Sequence, residues 1–418
     1  MRKTLAGRAN SRKGFMVCNE GVSLLKKIFL FGCSFYFLVG VIHILLGSLS
    51  PYIIQEYHRD VHDLSFLIFF QFTGFLIGVL LAPIFVRRTS HTAVLTFGLL
   101  LILVTLLGAF LIDMFIFFVI MGFLLGFGAG TLETTMGAYV IAQDKNAKGM
   151  NILEVFFGLG ALLFPFLIYI LTERYAWHFP LYALFIFVFV LACMWVVYLC
   201  RKTPDTASGQ MAYQEKPTVS AIFETGKKEK SIFLFLIFAF VYAGIETNFA
   251  NFLPALMLEK GAEEISVISV SFFWTGMVCG RLLTSIFGGR LTSVAFLIFS
   301  AGALTVLLLI LAWFPVQQTQ LLLVFFIGLS AAGIFPCAVT LASLAGKPFT
   351  EEITSLFISS ASLGGALLSF LIGWAIDASA AAVFPFLLFG GLGGLLLVIS
   401  AVIFLSGLQK NKQSHLDM

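Results

Sequence analysis

The chain is 418 residues long, 60% hydrophobic and only 11% charged, with a formal net charge of +4. That balance excludes an ordinary soluble protein and offers no basic face for nucleic acid. It points to a chain that crosses a lipid bilayer many times. The net charge is too small to say more, and its placement along the chain carries the information.

Residues 1–27 are polar and basic. The apolar run behind them is long enough to span, and no small-residue cleavage site follows it closely. They are expected to be a retained cytoplasmic tail rather than a signal peptide. Twelve apolar stretches can then be drawn, at roughly 28–54, 64–86, 91–111, 113–142, 149–172, 178–200, 231–258, 264–289, 293–314, 318–345, 352–376 and 381–407. No barrel-type alternation is present, so the spans are predicted to be helices. Residues 201–230 form a long polar interruption with two prolines and six basic side chains. They read as a cytoplasmic linker between one six-helix half at 28–200 and a second at 231–407, with residues 408–418 as a second cytoplasmic tail.

Basic residues fix the expected orientation. The tails and even-numbered connections hold 21 of them, the odd-numbered connections only Arg59, Arg174 and Lys260. Both termini and the linker are therefore expected in the cytoplasm, with the chain in the cell membrane. The six cysteines show no CxxC pair and no metal-ligand spacing, so free thiols and no metal site are expected. The halves repeat: Pro51 answers Pro254, Gly74 and Gly78 answer Gly276 and Gly280, Gly126 answers Gly328, and Gly160 answers Gly364. The offset stays within 202–204 residues across these landmarks, which marks a duplicated six-helix unit.

Polar groups inside apolar spans mark the candidate site. On the first span His43 shares a face with Gly40, Gly47 and Ser50; it can titrate, bond a ligand or simply pack. Gln71 on the second span is a candidate sugar contact. The fourth span reads GFLLGFGAGTLETTMGAYV, with Gly126, Gly130, Glu133 and Gly137 on one helical face. An ionised carboxylate there costs about 2.5–3.5 kcal/mol on insertion scales, so Glu133 must meet water, a partner or a proton. It is a proton or substrate site, or a structural acid. Helix five places Asn151, Glu154, Gly158, Ala161 and Pro165 on one face. Glu154 recognises hydroxyls or a proton there, or pairs near the surface with Lys148. Helix seven reads YAGIETNFANFLP, with Glu246, Asn248 and Asn251 within six residues. Carboxylates and amides suit a polyol, whose hydroxyls both donate and accept; the same groups could also tie helices together. On helix eight Arg281 cannot lose its proton and is expected to neutralise a buried acid. Trp274 is expected to stack on a sugar ring, as are Phe72, Phe156 and Phe335. No nucleophile–base or metal constellation is present, so no enzyme is expected.

The segments IFFQFTGFLIGVL (68–80), FLLGFGAGTLETT (123–135), LEVFFGLGAL (153–162), YAGIETNFANFLP (242–254), ISVSFFWTGMVCGR (268–281) and IGLSAAGIFPCAVTLAS (327–343) carry a resemblance. Through them the chain resembles the fucose–proton symporter branch of the major facilitator superfamily. The resemblance implies an all-α membrane protein with twelve helices around a central cavity. It implies proton-coupled uptake of a hexose such as glucose or mannose by alternating access. It puts the protonatable glutamate at Glu133 and a polar sugar contact at Glu154. The helix-one aspartate of the branch is Gly47 here, which leaves His43 or Glu246 to supply its role. Protons are then the coupling ion, no other cofactor is needed, and a monomer in the bilayer is expected. The remaining alternative is a proton-coupled transporter or antiporter of another small solute or drug.

Overall fold

Inside a bilayer a backbone has no water to bond, so each apolar stretch must satisfy its own N–H and C=O groups as a helix. The computed structural model describes residues 2–143, 148–201, 230–259, 261–287, 293–313, 319–338 and 350–378. Within them lie α1 (Arg2–Tyr57), α2 (Val61–Arg88), α3 (His91–Gly108), α4 (Phe115–Gln143), α5 (Lys148–Thr172), α6 (Phe179–Arg201), α7 (Lys230–Glu259), α8 (Ser266–Phe287), α9 (Ser293–Trp313), α10 (Thr319–Ala331) and α11 (Thr350–Ala378). Among the described residues nine helices are long and apolar enough to cross a membrane. The predicted twelfth span, almost all of the linker and the second tail lie outside the described residues.

Two departures from expectation have local causes. Helix α1 begins at Arg2 and runs unbroken into the first span, since residues 2–27 contain no proline to stop it. The tenth span is not one rod. It ends as α10 at Ala331, turns through Ala332–Gly333 and is helical again at 334–338. Pro336 lacks an N–H and its ring crowds the carbonyl of residue 332, so the ladder breaks there. The Tyr242 hydroxyl on α7 donates to the Ala331 carbonyl beside the break at 2.7 Å.

Packing repeats the duplication. In the first half α2 lies along α4 and α1 along α5; in the second, α8 lies along α10 and α7 along α11. The halves meet where α2 touches α11, α5 touches α8 and α1 touches α7. Close approach at the repeated glycines sets these pairings. A Cβ on Gly74 would collide with the Phe123 carbonyl, and one on Gly276 with that of Phe325. Gly126 likewise faces the Gln71 carbonyl, and Gly328 that of Phe273. Backbones in lipid gain van der Waals contact in this way, with no hydrophobic effect between the helices.

The bundle is dry and apolar on the outside. The span of α1 is 67% buried, that of α6 only 28%. Leu100, Leu107, Ile186, Phe189, Phe299 and Val306, on α3, α6 and α9, all face outward. Such an apolar outer surface matches acyl chains rather than water. Gly126→Ala and its repeat mate Gly328→Ala are expected to lose about 1–3 kcal/mol each, the usual range for overpacking. Gly365→Ala is expected to be tolerated, because its Cβ would meet Phe72 at an ordinary 3.5 Å. Thermal unfolding in detergent checks this; equal melting temperatures for Gly126→Ala and Gly365→Ala would contradict it.

Candidate functional site

His43 lies where α1, α2 and α5 converge. Its ring meets Phe72, Phe75 and Phe157 edge-on, with centroids 4.7, 6.0 and 5.3 Å away. Its Nδ1 is buried and makes no hydrogen bond among the described groups. Gln71 ties α2 to this point: its amide donates to the carbonyls of Ile42 at 2.9 Å and His43 at 3.1 Å. Those donors are thus engaged with the backbone in this conformation. Phe72, 2% exposed, also reaches across to Gly365 on α11, which Thr247 of α7 flanks as well. The Phe157 ring stands 5.9 Å from that of Trp274, again across the two halves. Trp274 is 3% exposed and its indole nitrogen has no hydrogen-bond partner among the described residues. Phe335 stands 6.5 Å from Tyr242, and Phe156 is half-buried.

The charged residues form one cluster toward the opposite end of α5 and α8 from the short α1–α2 connection. Glu133, Glu154, Glu246 and Arg281 each keep part of their surface accessible, while Leu132, Leu153 and Ile245 beside them are at most 3% exposed. The accessible surface that reaches these four side chains among the helices marks an internal crevice. Helices α5 and α8 run antiparallel and in register. Ser271 Oγ donates to the Leu162 carbonyl at 2.9 Å, and a Cβ on Gly158 would stand 3.3 Å from Val278. One turn further, the same two stripes bring Glu154 opposite Arg281. The Arg281 charge acts on Glu154 of the first half and on Glu246 of the second. The Glu154 charge acts in turn on Glu133 of α4. The Tyr36 hydroxyl donates to the Glu133 backbone carbonyl at 3.1 Å, and the Tyr242 hydroxyl interacts with Glu246. Glu133 Oε2 is buried without a hydrogen-bond partner among the described residues.

The amides of α7 part company. Asn248 donates to the Gly244 and Gly365 carbonyls at 2.8 and 3.1 Å, which ties α7 to α11. Asn251 donates to Thr247 at 2.9 Å and lies against Gly47 of α1, where any added Cβ would strike its backbone. The Oδ1 atoms of both, with Ser48 and Ser50 Oγ, are buried without a hydrogen-bond partner among the described residues. The crossing of Gly47 and Asn251, the bond from Ser271 to Leu162, and Phe370 against Phe66 and Phe69 close the halves together at this end. The crevice and this closed end thus lie toward opposite faces of the bundle.

Of the sequence-predicted residues, the structure brings Glu133, Glu154, Glu246 and Arg281 into one cluster. It places His43, Gln71 and Trp274 beside the central rings and Asn251 at the crossing of α1 and α7. The side chain of Asn151 lies outside the described residues. Sequence reasoning missed Tyr36 and Tyr242. Spacing held the signal: Tyr36 precedes His43 by seven residues and Tyr242 precedes Glu246 by four, so each shares its face. Among the described residues no group of His, Cys, Asp and Glu could hold a metal ion.

The family profile of the Major Facilitator Superfamily matches residues 29–351. The glucose/mannose transporter GlcP of Bacillus subtilis (strain 168) is 46% identical over 357 residues, 85% of this chain and 89% of that protein. Among solved structures, a D-xylose–proton symporter superposes with a TM-score of 0.70 at 14% identity, over 91% of this chain and 97% of its own. The E. coli fucose–proton symporter FucP superposes at 0.60 with 18% identity, over 90% and 98%. With the profile covering most of the chain and the duplicated helical bundle beneath it, the protein is a multi-pass membrane transporter, not an enzyme, and belongs to the Major Facilitator Superfamily.

Proposed function

We propose that the protein imports hexoses, glucose and mannose foremost, together with protons and by alternating access of its two halves. The observation that carries this is the 46% identity to a glucose/mannose transporter along nearly the whole chain. The geometry supports it: three carboxylates and one guanidinium face an internal crevice between the halves. Buried polar atoms of His43 and Trp274, without a hydrogen-bond partner among the described residues, lie near aromatic rings, which suits a pyranose with polar rim and apolar face. Protons are the coupling ion, with no further cofactor, and the functional unit is a monomer. The 21 basic residues in the tails and even-numbered connections, against 3 in the odd-numbered ones, support an orientation with both termini inside the cell. The closed end then faces outward and the crevice opens toward the cytoplasm.

Glu133 is the proton carrier. Rocking of the halves passes through an intermediate in which the crevice is shut and dry. An ionised carboxylate there costs about 2.5–3.5 kcal/mol, a factor of roughly a hundred in population. The empty carrier crosses when its acids are compensated, and the loaded carrier crosses with Glu133 protonated. Coupling follows because proton and sugar both shift the same equilibrium. Glu154 extends the proton site, and Glu246 and Asn251 receive the sugar from the second half.

Glu133→Gln mimics the protonated acid permanently. It is expected to exchange labelled glucose in counterflow while losing accumulation driven by a proton gradient. Normal concentrative uptake by this variant would remove Glu133 from the role. His43, in its cage of phenylalanines, acts on the sugar as a hydrogen-bonding ring. His43→Gln is expected to raise the glucose KM several-fold while the pH dependence of uptake stays that of the parent protein. A flattened pH profile would make His43 a proton carrier instead. Asn251→Ala is expected to weaken glucose binding in a protein that still reaches the membrane; unchanged binding by the purified variant would reduce Asn251 to a packing role.

A further inference from the structure

The proton candidates lie on α4 and α5 of the first half, while Glu246 lies on α7 of the second. Something must inform one half of the charge on the other. The stripe Ser271, Trp274, Val278 and Arg281 on α8 follows the part of α5 that carries Leu162, Gly158, Phe157 and Glu154, with Ser271 on Leu162, Trp274 on Phe157 and Val278 against Gly158. On its other side α8 packs along α7, where the rings of Phe249 and Phe273 are 5.3 Å apart. Two turns back along α7 from Phe249, and two turns on along α8 from Phe273, stand Tyr242 and Arg281. Arg281 therefore occupies the seam between a first-half acid and a second-half acid. The groups that feel its charge are Glu154 from α5 and Tyr242 and Glu246 from α7; Glu133 from α4 and Tyr36 from α1 stand beyond Glu154, within reach of its charge.

We propose that Arg281 is a shared countercharge that carries the protonation state of Glu154 in the first half to the sugar-facing Glu246 in the second. With Glu154 ionised, the guanidinium is divided between two carboxylates. When Glu154 takes up a proton, Arg281 is released to Glu246. It then holds that carboxylate ionised and fixed in direction, since a guanidinium offers its donors in a rigid fork. A fixed carboxylate is a stronger acceptor for sugar hydroxyls than a neutral or wandering acid. Proton binding in one half thereby tightens sugar binding in the other, and by linkage sugar tightens proton binding equally. Arg281 touches neither the sugar nor the transferred proton, so it is a positioning residue. This inference rests on the hexose reading above.

The test is a double-mutant cycle on equilibrium binding of D-glucose to the purified full-length protein. Glu154→Gln, which mimics the protonated acid, is expected to tighten glucose binding roughly fivefold or more, the lower range of ordinary couplings. In an Arg281→Gln background the same substitution is expected to change the affinity by less than about twofold. Absence of tightening in the parent background, or the same factor in both, would overturn the proposal. If Arg281→Gln does not fold, the cycle is run on Arg281→Lys, whose ammonium cannot fork to two carboxylates. There a reduced Glu154→Gln effect supports the proposal and an unchanged one overturns it. Glucose binding by the unaltered protein is measured first: its failure counts against the hexose reading alone. A cycle of Glu154→Gln against Glu246→Gln read as melting temperature needs no sugar. It is expected to be non-additive, and to become additive with Arg281→Lys; additivity in both backgrounds would overturn the proposal.

Discussion

An ionised carboxylate among apolar helices persists only where water, a cation or a proton compensates it. Here Glu133, Glu154 and Glu246 share one crevice with Arg281, and Glu154 acts on both of the other acids. Three acids and one guanidinium cannot all be ionised in a dry intermediate at small cost. That constraint explains why the cluster sits where two half-molecules meet. A charge imbalance at a hinge between rigid bodies biases which way they rock, whereas the same imbalance inside one half would only destabilise it. Arg281 belongs to α8 but faces α5, so its environment depends on how the halves are placed.

The rest of the bundle keeps those halves rigid. Glycines at repeat-related positions bring α2 against α4 and α8 against α10 at backbone distance, so each half moves as a block. Between the blocks the contacts are of another kind. Phe72 on Gly365, Gly47 on Asn251 and Ser271 on the Leu162 carbonyl are local and partly polar. Among the described residues, buried polar atoms such as Asn251 Oδ1 at the Gly47 crossing and the Trp274 indole nitrogen beside Phe157 have no hydrogen-bond partner. Burying such groups costs free energy that opening the seam to water or sugar recovers. The closed end is thus stable without being locked.

Much of this was legible in the chain. Apolar run length placed nine of the eleven described helices to within a few residues, the start of α1 and the end of α10 excepted, because a bilayer allows little else. The constant offset of the glycines foretold which helices pair, since only glycine permits that approach. The acids were visible because intramembrane charge is expensive. Contact across the halves was not legible. Nothing in the spacing of Asn248 and Asn251 says that one turns to α11 and the other to α1. Periodicity assigns a face within a helix but not the neighbour it meets. The break after Ala331 was obscured for a related reason: Pro336 signals a kink, but tertiary packing decides where the freed carbonyls go. Tyr36 and Tyr242 hid among so many aromatic residues, although their spacing to His43 and Glu246 carried the signal.

The account stands on the claim that sugar and proton cross on one carrier. Uptake of labelled glucose into proteoliposomes containing the purified protein, with and without an inward proton gradient, tests it most directly. The account predicts accumulation of glucose above its outside concentration only while the gradient lasts, with protons entering alongside. Equilibration to the outside concentration regardless of the gradient would contradict it and make the protein a facilitator whose acids serve structure alone.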